Sequence, residues 1–193
     1  LRKLGVFGEE EFFGNGLSNC ATCDGPFFHG QVVGVVGGGD SALDEALVLT
    51  EYASKVIVFH RRSEFRGQKI LQDRVLSHSG IEVRWNTTVE GIVGNDTVEA
   101  VSVADVVTGK SGCVDVSGVF IYVGLEPNVG FVGDLLTLDN GGHIPVDLWM
   151  RTSVKGIFAA GDVRQHSASQ LASAAGDGAA GQTGSFAYAL FSP

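Results

Sequence analysis

The sequence is short of several things, and each shortage removes a class of protein. Basic residues are outnumbered: 13 Lys and Arg stand against 22 Asp and Glu, a net charge of −9. That balance argues against nucleic acid or an anionic membrane surface as the main partner. No apolar run approaches the roughly 20 residues that a membrane span needs, so no membrane partner is expected. The opening stretch LRKLGVFGEEEFFG lacks the apolar centre of a signal peptide. Cysteines number only three, an odd count that does not suit a secreted disulfide framework. A reducing, cytoplasmic location is the expectation. Internal repeats and low-complexity tracts are also missing.

What is present is a chain of 193 residues with 44% hydrophobic and 18% charged content, enough to bury a core. Its 28 glycines cluster beside apolar runs. Such placement suits tight turns and close backbone approach to a ligand.

Along the chain, Val32, Val33, Val35 and Val36 form a β-branched run suited to a parallel sheet covered on both faces. Asp40 or Ser41 is expected to cap a helix in which Leu43, Ala46, Leu47 and Thr50 recur at helical spacing. KVIVFH then reads as a second buried strand. A right-handed crossover makes the unit a βαβ half of a dinucleotide-binding fold. GQKILQDRVLSHSG reads as an amphipathic helix ended by Gly80, and IEVRWNTTV as a third strand. VEAVSVADVVTG and CVDVSGVFIYVG read as strands of an antiparallel meander. The turn-rich GLEPNVG marks a boundary that divides the chain into 1–125 and 126–193. Beyond it, GIFAAGDV is expected as a buried strand and SQLASAAGDGAAGQTGSFAYAL as a small-residue helix able to pack close to a ligand. The fold class is α/β and Rossmann-like, a parallel sheet with an antiparallel meander.

GGGDSA fits Gly-x-Gly-x-x-Ala. Gly37 makes the turn, Gly39 lets the backbone approach a pyrophosphate, and Ala42 permits close helix–strand packing. Gly38, Asp40 and Ser41 complete this candidate phosphate-binding turn, where free N–H groups and the helix dipole favour an anion. The end of the second strand chooses the cofactor. An NAD site would place an acid there; this sequence has His60, Arg61, Arg62 and, a little further on, Arg66. Clustered guanidinium groups can bind a 2′-phosphate in bidentate fashion, and their place roughly 20 residues after the turn selects NADPH over a merely solvated basic surface.

The stretch NCATCDG carries Cys20 and Cys23 with Asp24 beside them. Zinc needs about four ligands, and neither Cys113 nor the five histidines completes a set, so no metal is expected. Two inert thiols are a poor match for this spacing next to an acid. Redox chemistry is the best reading, with Asp24 able to shuttle a proton. Because nicotinamide gives a hydride and a disulfide is not usually reduced by one directly, a flavin relay is implied.

Taken together, CATCDG, GGGDSALDEALVLT, HRRSEFR, GIFAAGDV and QLASAAGDGAA, in this order and spacing, resemble the low-molecular-weight, bacterial-type thioredoxin reductases over nearly the whole chain. The resemblance implies a two-domain pyridine nucleotide-disulfide oxidoreductase, usually a homodimer. Electrons would pass from NADPH to FAD, then to the cysteine pair, then to thioredoxin or a thioredoxin-like protein. Residues 1–125 would be the NADPH domain and 126–193 the C-terminal segment of the FAD domain. By motif match Cys23 would face the flavin, Cys20 would attack the partner disulfide, and Asp24 would donate the proton. Gly161 and Asp162 would meet the FAD ribityl chain, and Gln170 with Leu171 the isoalloxazine edge. The family begins with an N-terminal FAD half that this chain lacks, Leu1 falling just after the hinge, so a fragment is implied. Ser169 stands where an arginine is common and Asn19 where an aromatic is. The tail GQTGSFAYALFSP matches poorly. The alternatives are a non-catalytic NADP-binding fragment and a dithiol oxidase or peroxidase-system reductase with another partner. A ferredoxin-type NADP reductase is disfavoured by the cysteine pair.

Overall fold

The computed structural model describes residues 2–191, with side chains described to residue 185. The expectation tied to Leu1 and the last two residues of the tail lie outside that range. The chain divides into two compact units, Leu1–Leu125 and Glu126–Pro193.

The strands of the first unit, in chain order, are β1 (Leu17–Ser18), β2 (Val32–Gly37), β3 (Lys55–Phe59), β4 (Ile81–Arg84), β5 (Thr87–Gly94), β6 (Val98–Asp105), β7 (Ser111–Asp115) and β8 (Gly118–Tyr122). Its helices are α1 (Ala21–Asp24), α2 (Asp40–Leu49) and α3 (Lys69–Ser77). Five strands form a wholly parallel sheet in the order β1-β8-β2-β3-β4, and β5-β6-β7 form an antiparallel sheet.

Strand alternation explains why these sheets stack. Val33, Val35, Val56, Val58 and Phe120 point to one face and pack with Leu43, Ala46 and Leu49 of α2 and Val75 of α3. Val36, Ile57, Phe59, Val119 and Ile121 point to the other and pack on Val89, Ile92, Val101 and Val114 of the antiparallel sheet. With a side-chain period of two, both faces of the parallel sheet are dry, which is why its strands read as unbroken apolar runs. Each fully buried large side chain contributes on the order of 1.5–3 kcal/mol.

Four expectations need correction. First, α2 begins at Asp40 with Gly39 as N-cap and no side-chain cap, because the Asp40 carboxylate is engaged elsewhere, by Gln68. Second, IEVRWNTTV is two strands: Asn86 adopts φ 51°, and the chain leaves the parallel sheet for the antiparallel one there. Third, CVDVSGVFIYVG is split in the same way, β7 ending the meander and β8 entering the parallel sheet between β1 and β2. The fourth concerns the second unit.

That unit has a small core of Leu136, Ile144 and Ala159. It contains 3-10 segments at Gly130–Leu135 and Gly161–Val163 and the helix α4 (Leu171–Phe191). GIFAAGDV is not a strand. Phe158 forms a single bridge to Arg151, and Gly161, at φ +76°, opens a 3-10 turn. The small residues of α4 do permit close packing: a Cβ on Gly184 would lie 2.9 Å from the Trp149 carbonyl oxygen. Among the described residues no helix is long and apolar enough to cross a membrane.

Candidate functional site

In the first unit the ends of β1, β2, β3 and β8 fall on one edge of the parallel sheet, since all run the same way. The carboxyl edge of such a sheet is where α/β proteins bind ligands. The glycine turn follows β2, the histidine–arginine stretch follows β3, and the cysteine pair follows β1.

The three glycines of the turn have separate reasons to be there. Gly37 lies at φ +153°, and a Cβ on it would come 2.7 Å from the Ala42 Cβ and collide with the Tyr122 carbonyl. A Cβ on Gly38 would land on the His60 ring. Gly39 faces open space, with no heavy atom within 4 Å of where its Cβ would be. Its backbone at the start of α2 is therefore approachable. A cavity of about 470 Å³ opens here, lined by the turn from Gly37 to Ala42 together with His60, Arg61, Arg66 and Tyr122.

The arginine loop is laced to this turn by its backbone. Arg66 N–H and Gly67 N–H donate to Gly38 O at 2.8 and 3.2 Å. Gln68 N–H donates to Asp40 Oδ1 at 2.6 Å. Arg61, Arg62 and Arg66 are all exposed, as is Ser41. His60 is turned inward. It is 6% exposed, with Nδ1 3.0 Å from Gly37 O and Nε2 2.9 Å from Glu64 O, and its ring packs beside Phe65 and Trp85. Burial pushes its pKa below the ordinary value; the two carbonyls oppose this, while Arg66 and Arg62 add to it. A neutral imidazole has one N–H, so it donates to one carbonyl at a time. The structure thus makes His60 a brace between turn and loop, at the wall of the cavity.

Cys20 and Cys23 form a disulfide, with Cα atoms 5.3 Å apart. Cys20 is the N-cap of α1, and Cys23 N–H points at Cys20 Sγ, 3.2 Å away. The Ser18 hydroxyl donates to Asp24 Oδ2 at 2.5 Å and accepts from Cys20 N–H at 3.1 Å. Ala21 N–H donates to Glu45 Oε2 at 2.8 Å and to the Tyr122 phenol oxygen at 3.2 Å. Burial, then the Glu45 charge, push the Tyr122 phenol well above its usual pKa.

In the second unit Asp162 and Gln170 are exposed and Leu171 is 92% exposed at the start of α4. Gly161 is buried, and its N–H donates to Asp177 Oδ2 at 3.1 Å. Asp177 also takes a two-pronged contact from Arg164, with Nε to Oδ2 at 2.6 Å and Nη2 to Oδ1 at 2.7 Å. Arg164 holds the Asp177 carboxyl below the usual range, and the Gly161 amide adds to it. Gly161 and Asp162 thus sit on a turn fixed from behind.

Sequence reasoning missed Glu45, Tyr122, Ser18, Arg164 and Asp177. Two left a signal. Tyr122 is the polar tip of an otherwise apolar strand, and Asp177 is the one charge amid the small residues AAGDGAA.

A family profile described as "Pyridine nucleotide-disulphide oxidoreductase" matches residues 1–179. A thioredoxin reductase of Treponema pallidum is 47% identical over 178 residues, 92% of this chain and 58% of that protein. A thioredoxin reductase of Listeria innocua is 49% identical over 178 residues, covering 92% of this chain and 56% of the relative. The crystal structure of a Lactococcus lactis thioredoxin reductase superposes with a TM-score of 0.94 at 42% identity, covering 98% of this chain and 63% of that one. The chain therefore spans somewhat more than half the length of the curated relatives it matches.

Proposed function

Because this chain belongs to the pyridine nucleotide-disulphide oxidoreductase family, we propose that it acts in an NADPH-dependent, FAD-mediated disulfide reductase whose protein substrate is thioredoxin or a thioredoxin-like protein. Residues 1–125 serve as the NADPH-binding domain carrying the redox cysteines, and 126–193 as the C-terminal segment of the FAD-binding domain. The working form is a homodimer in the cytoplasm. The observation that carries this reading is the Cys20–Cys23 disulfide on the same sheet edge as an open glycine turn ringed by exposed arginines.

The residues present fit the two cofactors. Gly39 leaves the approach that a pyrophosphate needs, and Arg61, Arg62 and Arg66 are free in space to meet a 2′-phosphate. The braced turn at Gly161 and Asp162, with Gln170 and Leu171 exposed beyond it, suits a flavin contact. When bound, nicotinamide and flavin supply two-electron chemistry between a hydride and a disulfide.

The chain's own part is thiol chemistry. Cys20–Cys23 takes up two electrons and two protons to become a dithiol, and Asp24, anchored by Ser18, is the group beside it that can pass a proton. Cys20, with the Cys23 N–H aimed at its sulfur, attacks the partner disulfide as thiolate. The mixed disulfide is resolved by Cys23, which restores the intramolecular bond and releases a reduced partner.

The test is NADPH consumption by FAD-supplemented protein in the presence of thioredoxin disulfide. Cys20→Ser should reduce turnover to background. Arg61→Ala with Arg62→Ala should weaken NADPH by about 1.5–3 kcal/mol per lost contact and leave NADH almost unchanged. Turnover that survives Cys20→Ser sinks the thiol relay, and equal losses for both nucleotides sink the cofactor assignment.

A further inference from the structure

The amide joining Cys20 to Ala21 is held from outside its own helix. Its acceptors are Glu45 of α2, at 2.8 Å, and Tyr122 of β8, at 3.2 Å. Ala21 is fully buried, Tyr122 is 7% exposed and Glu45 is half-buried. Turning a carboxylate inward costs solvation that its two hydrogen bonds, from the Ala21 N–H and the Tyr122 phenol, only partly offset. A glutamine oxygen would satisfy the same amide without that cost. The charge itself therefore needs a reason, and its neighbour supplies one. Covalent geometry keeps the Cys20 sulfur within roughly 6 Å of the Ala21 nitrogen, so the carboxylate, one hydrogen bond beyond that nitrogen, lies no more than about 9 Å from a sulfur that becomes ionisable on reduction, within the reach of an unscreened charge.

Two influences then meet at Cys20. The Cys23 N–H, 3.2 Å from Sγ, favours a thiolate. The negative charge at Glu45 disfavours it. The other titratable groups on the elements packed here are Cys23 and Asp24 on α1 itself, Asp40 and Asp44 on α2 and Tyr122 on β8, with Tyr52 just beyond α2, its ring backing Gly25. We propose that Glu45 is a positioning residue for the dithiol, anchoring the Ala21 amide while its charge restrains thiolate formation at Cys20. A dithiol whose ionised form is less stabilised is the stronger electron donor, which is what a pair that must reduce another protein's disulfide requires. The inference rests on reading Cys20 and Cys23 as a redox couple.

The experiment uses the chain carrying Cys113→Ser, so that only the pair reacts. Excess dithiothreitol reduces the disulfide, itself closing to its cyclic disulfide as the protein gains two electrons and two protons. After its removal, carbamidomethylation of Cys20 by iodoacetamide is followed by peptide mass spectrometry across neutral pH. Glu45→Gln should lower the midpoint of the rate–pH profile by about half a pH unit, which is roughly a threefold faster reaction at neutral pH. Glu45→Asp should keep the original midpoint. Should the glutamine variant not fold, Glu45→Ala, well tolerated in a helix, carries the same expectation. An unshifted midpoint in the charge-free variant overturns the proposal. So does an equal shift in Glu45→Asp, since packing rather than charge would then be responsible. Neither flavin nor nicotinamide enters the assay, so failure here leaves the reductase reading intact.

Discussion

The two units are held together by different physics. Leu1–Leu125 has dry surfaces on both faces of a five-stranded sheet, and its polar groups brace turns above an apolar core. Among its described residues, Glu126–Pro193 has only a small apolar cluster of Leu136, Ile144 and Ala159, together with the Arg164–Asp177 pair. The first can afford exposed arginines and an open glycine because burial elsewhere holds the turn. The second fixes its Gly-Asp turn chiefly through charge. A removed methylene should matter most in one, a removed carboxylate in the other.

Three substitutions press on this contrast. The largest effect is expected from Gly37→Ala, which sets a Cβ against the Tyr122 carbonyl and the Ala42 methyl in a backbone region unfavourable to side chains. Strain and overpacking together should cost about 4 kcal/mol in urea unfolding of the first unit. A loss near zero would mean that the turn is looser than the packed core implies. Next comes Asp177→Ala, which leaves Arg164 without its carboxylate and Gly161 without its acceptor. About 3 kcal/mol should be lost, read as faster amide hydrogen exchange around Gly161 and α4. Unchanged protection there would remove the charge-held character assigned to the second unit.

The smallest effect is a pH dependence. His60 has a depressed pKa in the folded chain, so between that value and the ordinary one the unfolded chain binds a proton that the native chain refuses. Stability of the first unit should fall as pH drops below about 6.5, with a slope no steeper than the single-proton limit of about 1.4 kcal/mol per pH unit. His60→Gln should flatten the thermal-melt profile across that window. A profile equally steep in the variant would assign the proton to another group.

Legibility in the sequence followed the range of the interactions. GGGDSA, CATCDG and HRR are local patterns readable from a few adjacent residues, and each lies at the carboxyl edge of the parallel sheet, after β2, β1 and β3. The parallel strands were readable because both faces are buried. The same apolarity misled where the chain changes sheets: Asn86 turns WNT out of one sheet into another, and Ser117 separates two runs that look like one strand. GIFAAGDV is apolar enough for a strand, yet its backbone pairs at a single bridge. Glu45 and Asp177 could not be assigned in advance, because their partners lie 24 and 13 or more residues away in sequence.

Helix α2 has a geometric consequence for how this protein can change. Its amino end carries Gly39 and its inner flank carries Glu45, six positions apart, or about 9 Å along the axis at the rise of an α-helix. One rod therefore gauges the separation between the place where a nucleotide would rest and the place where sulfur is kept. A single residue inserted between them would swing Glu45 about 100° around that rod, so length variation should be barred here even where side-chain variation is free.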